Sequence, residues 1–323
     1  MRNLVRSELL RLRSRQAIVA IVLCAAGLLL ALMVGQVLAH TDDYASAREA
    51  FVAQRTLTYE DDLQSYRATL DSVGVAQMPV GSREVSLAEY LDGQEFTGGV
   101  ADIPTRRFVT ATLTSEMAKI ASVVAAIAAF TVGATSAGAE WAAATLPALL
   151  TWEPRRLRFV VAKMLAIAAL AVALAVVLHG IVLGLSWVGG AWRGTLEGLT
   201  TSWWVDAVQT AARGTLIAAV ASAAGFHLSL LTRSTGFAVG VGFLYPAVVE
   251  SVLQGLRPEA EQWTIRGTAG AFLDGGTALL IPQMDQPLLV VTIAALPALL
   301  TVLAYAVPLA MVSALVFTRR DIT

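Results

Sequence analysis

Nine residues between Glu140 and Lys163 have the types and order for mechanical work at a membrane surface: Glu140, Trp141, Thr145, Leu149, Leu150, Pro154, Arg155, Arg156 and Lys163. They run from the end of one apolar stretch into the start of the next. Nowhere in the chain does spacing set a serine beside a histidine and an acid, so the chemistry suggested is charge pairing and docking rather than bond making. Thr145 can cap a helix, and Pro147 is tolerated only in a helix's first turn. A short helix over about Leu146–Trp152 follows, with Ala148, Leu149 and Leu150 as strong formers. Pro154 ends it, because the residue before a proline is pushed out of helical geometry. Arg155 and Arg156 place positive charge at the surface, and the long stem of Lys163 can carry its ammonium back to the interface. A push on such a helix would move both flanking segments.

Other chemistries lack their residues. The sequence holds no GxxxxGK[ST] phosphate loop, no HExxH and no GxSxG. His40, His179 and His227 are scattered, and the latter two fall in apolar runs with no charged companion nearby, as helix-packing histidines do. The single cysteine, Cys24, excludes an internal disulfide framework and a cysteine metal cluster. A net charge of −1 gives no sign of nucleic acid as a partner. Two residues of the fifth apolar run are candidates for a substrate path, Glu250 and, one turn before it, Pro246. Glu250 either faces such a path, pairs with an arginine, or lies in water at the external interface. The last position follows from a count: only about fifteen residues of the run precede it, where a crossing needs roughly twenty. Asp206 and Arg213, two turns apart, read as structural charges.

The elements that must position these residues are membrane helices. The 323-residue chain is 56% hydrophobic and 15% charged, against about a quarter charged in soluble domains. Its apolar residues gather in runs long enough to cross a hydrocarbon core of about 30 Å. Six spans are expected, at 17–39, 108–138, 158–187, 203–231, 235–256 and 287–317. They are helical because lipid leaves the backbone no other hydrogen-bond partner. The first is too long for a signal-peptide core of about 7–15 residues and reads as an uncleaved span. Arginines sort to one side: Arg2, Arg6, Arg11, Arg13 and Arg15 before span one, Arg155, Arg156 and Arg158 before span three, Arg233 before span five, and Arg319 and Arg320 after span six. That bias puts both termini in the cytoplasm; Arg106 and Arg107, just before span two, fall on the other side and count against it.

Residues 1–16 form an amphipathic helix, Leu4, Val5, Leu9 and Leu12 on one face and arginines on much of the other, suited to lie in the membrane interface. Residues 40–107 read as an external helical subdomain. Tyr59, Leu63, Tyr66, Leu70 and Val73 form a helical stripe in it, Ser86 to Glu89 resembles a capped helix start, and Met78–Gly81 breaks regularity between them. Residues 257–286 form an external or re-entrant link, with a short helix dipping back as one possibility for Thr264 to Leu280. The chain ends in a tail at 318–323.

At residues 140–163 the chain resembles the permease subunits of type-2 ABC exporters. Their pattern after the second span is an acid, a Gly-Thr step, a Leu-Leu pair, a proline, an arginine and a lysine. Glu140, Thr145, Leu149, Leu150, Pro154, Arg156 and Lys163 follow it in order, with Ala144 where the family has glycine. The resemblance implies an all-α integral membrane protein of the bacterial cytoplasmic membrane with six transmembrane helices. It also implies an elbow helix at 1–16, a cytoplasmic coupling helix and turn at 139–157, and the external subdomain. Two permeases, identical or paralogous, would pair with two copies of a separate ABC ATPase. The chain would not be an enzyme and would carry no cofactor, with ATP and Mg on the ATPase. Drug, lipid, peptide and glycan are open as substrates. The alternative is a stand-alone membrane receptor or assembly factor that uses the external subdomain to bind a partner.

Overall fold

The computed structural model describes residues 2–40, 44–73, 108–283 and 286–320. Six of its helices are long and apolar enough to cross a membrane, which makes this a multi-pass, predominantly helical membrane protein. Helix α1 (Arg2–Ser14) breaks at Arg15 and leads into α2 (Gln16–Ala39). Then come α3 (Tyr44–Val73), the short strand β1 (Phe108–Val109), α4 (Thr110–Ala142), α5 (Leu146–Trp152), α6 (Arg156–Arg193), β2 (Gly194–Thr195) and α7 (Thr201–Thr232). The fifth span is composite. Helix α8 (Thr235–Leu244) passes through a π turn (Tyr245–Val249) into α9 (Glu250–Leu256). Pro246 has no N–H to donate, and a π turn is one way a helix absorbs that loss. A 3₁₀ turn (Pro258–Trp263), α10 (Ile265–Leu273), strands β3 (Gly276–Gln283) and β4 (Gln286–Ala294), and α11 (Ala295–Arg319) complete the chain.

The chain forms two compact units. The larger consists of Met1–Met33, Thr114–Gly184 and Thr200–Thr323. In it α4 and α7 lie backbone to backbone, because Gly225 faces the Phe130 carbonyl and Gly133 faces that of Ser222. Small residues allow such close approach where lipid offers no hydrophobic drive for association. One apolar cluster joins Leu12, Ile18, Val132, Leu146, Phe159 and Phe317. A second joins Ile217, Phe272, Ile293 and Val302. The smaller unit consists of Val34–Leu113 and Leu185–Leu199. There β1 and β2 pair in parallel, Phe108 opposite Gly194, with the Phe108 side chain fully buried. Helix α3 carries Tyr59, Leu63 and Tyr66 of the expected stripe. Met78–Gly81 and Ser86–Glu89 lie outside the described residues.

Two expectations at the end of the chain need correction. The sixth span was expected from Pro287, but Gln286–Ala294 is a strand and the helix starts at Ala295. Val290, Val291, Thr292 and Ile293 are consecutive β-branched residues, which favour strand. Pro297 then falls in the first turn of α11, where its missing N–H costs nothing. Among the described residues of the link at 257–286, the α-helical part is Ile265–Leu273, preceded by the 3₁₀ turn. Gly275 and Gly276, at φ +80° and +125°, turn the chain into β3, which pairs antiparallel with β4.

Candidate functional site

On α1, Leu4, Glu8 and Leu12 succeed one another at four-residue steps, so Glu8 sits on the apolar stripe. When α1 docks, Leu12 becomes buried with Val5 and Leu9 packed beside it, and Glu8 is carried in too. A buried carboxylate must find a cation. Lys163 supplies it: its Nζ lies 2.8 Å from Glu8 Oε2 and 2.6 Å from Glu140 Oε1. Arg15 donates to the same Glu140 oxygen at 2.8 Å and to the Ser136 carbonyl at 3.1 Å. Arg11 closes the set, 3.0 Å from Glu8 Oε1. Glu8, Glu140 and Lys163 are only 2%, 1% and 1% exposed. Dehydrating each charge costs several kcal/mol, so the set holds only if it stays paired. Its members come from α1, the break after it, the last turns of α4 and the second turn of α6. Glu140 Oε2 and the Trp141 indole N–H are buried without a hydrogen-bond partner. The Arg233 guanidinium stacks 4.7 Å over the Trp141 ring.

The Lys163 ammonium does not reach back to the interface as sequence suggested. It lies inside the protein, held by two carboxylates and 5.3 Å above the Phe159 ring. The apolar face of α1 meets protein at Leu12.

The path from α4 into α5 is a Schellman turn. The Ala144 N–H donates to the Trp141 carbonyl at 3.2 Å and the Thr145 N–H to that of Glu140 at 3.1 Å. Such a turn needs a left-handed residue, and Ala144 takes that place with φ 49°. The expected Thr145 side-chain cap is absent. Its backbone is already right-handed helical, and its hydroxyl points back to the Glu140 carbonyl at 3.5 Å. Leu146 is buried, and Leu149 and Leu150 pack on the cluster below. The other face of α5 is exposed at Thr145, Pro147, Ala148, Thr151 and Trp152, the indole side chain being 89% exposed.

Beyond α5, Pro154 and Arg155 are exposed, and Arg158 lies 3.7 Å from Glu153. Arg156 turns inward instead. It donates to the carbonyls of Phe317 (3.1 Å), Thr318 (3.3 Å) and Arg320. A cation there satisfies carbonyls left open at the C-terminus of α11 and complements its dipole. Arg320 in turn donates to the Leu231 carbonyl on α7 at 3.0 Å.

The two candidates for a substrate path separate. Pro246 lines an apolar cavity of about 340 Å³ with Phe130, Ile217, Tyr245 and Tyr305. Glu250 does not line it, and it does not lie in water either: it is fully buried. Its two oxygens accept the backbone N–H groups of Ile265 (2.6 Å) and Arg266 (2.9 Å), capping α10. A carboxylate is stabilised by the open N–H groups of a helix start, which is why it tolerates burial. His179 has a packing role, its ring nitrogens against the Ala175 carbonyl (2.8 Å) and the Ser122 hydroxyl (3.1 Å).

Sequence reading brought Glu140 and Lys163 forward and missed Glu8, Arg11 and Arg15 as their partners. The available signal was Glu8 itself, the only acid in the first sixteen residues, placed on the apolar stripe. Trp152, three positions from the arginine pair, reads in sequence as a membrane-interface tryptophan; the structure adds that it stands exposed at the end of α5. No protein-family model matches the chain, and a search of curated proteins gives no match.

Proposed function

We propose that this chain is the transmembrane subunit of an ATP-driven ABC exporter in the bacterial cytoplasmic membrane. In this reading two such subunits, identical or paralogous, form the substrate path, and a separate ATPase binds each at α5. The observation that carries the reading is the mounting of α5. It is a short helix with an open face ending in Trp152, and both its ends are tied into the bundle. On one side the Glu140 cluster links α1, α4 and α6. On the other, Arg156 links the start of α6 to the end of α11. Buried side chains with paired charges resist local deformation, so a load applied at α5 passes to several spans together. The six-span layout and the order of residues 140–163 agree with the type-2 exporter pattern.

ATP and Mg belong to the ATPase in this scheme, and the chain performs no hydrolysis. The cavity at Pro246 supports an apolar path residue there, whereas Glu250 acts as a helix cap.

The test is to tag the full chain, extract it mildly from its native membrane after light crosslinking, and identify what accompanies it by mass spectrometry. A stoichiometric P-loop ATPase whose recovery falls at least tenfold with Trp152→Ala supports the reading, since exposed tryptophans are frequent energetic anchors of interfaces. Recovery of the chain without any ATPase overturns it in favour of a stand-alone receptor or assembly factor.

A further inference from the structure

The break between α1 and α2 leaves a groove of about 320 Å³ on the arginine-rich end of the bundle. That volume falls within the ~300–1,000 Å³ typical of small-molecule sites. Its floor is apolar: Leu9 and Leu12 from the underside of α1, Ile18 and Val22 from α2, Leu170 from α6. Its one charged lining residue is Arg13, in the last turn of α1. Arg13 is exposed and forms no hydrogen bond or ion pair with any described residue. This contrasts with its neighbours: Arg11 is committed to Glu8, and Arg15 to Glu140 and Ser136. The acid nearest in sequence, Glu8, is buried and engaged with Lys163, so it does not neutralise the rim.

An apolar groove beside an exposed guanidinium is complementary to a molecule with one hydrocarbon chain at an anionic head. We propose that the groove holds one anionic glycerophospholipid, its phosphate on the Arg13 guanidinium and an acyl chain along Ile18, Val22 and Leu170. Choice among lipids comes from the head. In a bilayer the acyl chain leaves one apolar surrounding for another, so the slot itself adds little preference. A basic side chain at a lipid surface favours an anionic over a neutral lipid by about fivefold. Hydrogen bonds from a guanidinium fork to phosphate oxygens add geometric selection. The bound lipid would fill the open side of the α1–α2 elbow. The proposal does not depend on an ATPase partner.

The probe is the full chain purified in detergent and equilibrated with equal amounts of phosphatidylglycerol and phosphatidylcholine, with retained lipid counted by native mass spectrometry. One phosphatidylglycerol per chain, preferred about fivefold or more over phosphatidylcholine, is expected. Arg13→Gln should bring the two lipids to parity; the residue is exposed, so this change does not disturb packing. Arg6→Gln, which removes an exposed arginine of α1 outside the groove, should leave the preference intact. Equal retention of the two lipids by the unaltered chain overturns the proposal. So does a preference that survives Arg13→Gln. An equal loss in Arg6→Gln also overturns it, by showing diffuse attraction to a basic helix.

Discussion

At the scale of single residues, the chain concentrates its exceptions under α5. Three of the cluster's charged side chains are buried almost completely, and they are stable there only because each finds an opposite charge within 3 Å. Lys163→Met removes the cation that two carboxylates share. We expect a loss of about 3–5 kcal/mol, because breaking a buried pair strands its partners in low dielectric. The measurement is thermal unfolding of the purified protein. The combined change Lys163→Met with Glu140→Gln should cost less than the sum of its parts, since it leaves fewer stranded charges. Ala144 is the second exception. A left-handed residue with a Cβ costs about 1–2 kcal/mol. Glycine would relieve this but adds about 0.4–1 kcal/mol of freedom to the unfolded chain. Ala144→Gly should therefore raise stability by up to about 1 kcal/mol in the same experiment, and a fall in stability would contradict the strain argument. Half of this site was readable in sequence. Glu140 and Lys163 stand out as charges at the ends of apolar runs. The pairing of Lys163 with Glu8, 155 residues earlier, is a tertiary event that no local spacing encodes.

Among elements, the spans were legible because lipid imposes length and composition on them directly. The hairpin β3–β4 was not. An uncharged run such as Pro287–Phe317 satisfies the composition rule whether its first residues are strand or helix, and only the β-branched set at 290–293 hinted at the difference. Glu250 was misplaced for a related reason: a count along the helix gives its depth but not the start of α10 that meets it. The packing of α4 on α7 rests on a feature equally hidden in sequence, the two glycines that let these backbones touch. A Cβ at Gly225 would overlap the Phe130 carbonyl oxygen. The obstruction is backbone, which cannot rotate away as a side chain would. Gly225→Ala must then part the two helices, at about 1–3 kcal/mol for overpacking. Gly236→Ala, on α8 with open space where its Cβ would go, is the matched control and should leave the unfolding temperature nearly unchanged.

For the whole molecule, orientation decides whether any of the corner chemistry can serve a cytoplasmic motor. From the arginine distribution we expect Trp152 inside and Glu197 outside. One helix connects their neighbourhoods: α6 has 38 residues, about 57 Å at helical rise, nearly twice the hydrocarbon thickness. If α6 is a single crossing, exposed residues just beyond its two ends are expected on opposite sides of the membrane. The chain suits a direct test because Cys24 is its only cysteine, so Cys24→Ser gives an unreactive background. In intact cells a membrane-impermeant maleimide should label Glu197→Cys and spare Trp152→Cys, and the second should react once the membrane is opened. Labelling of Trp152→Cys in intact cells would turn the molecule over. The Glu140–Lys163 corner would then still hold the helices together, since its pairing is internal. The open face of α5 would meet the outside, where no ATP-driven partner could press on it, and the transport reading would fall while the architecture stood.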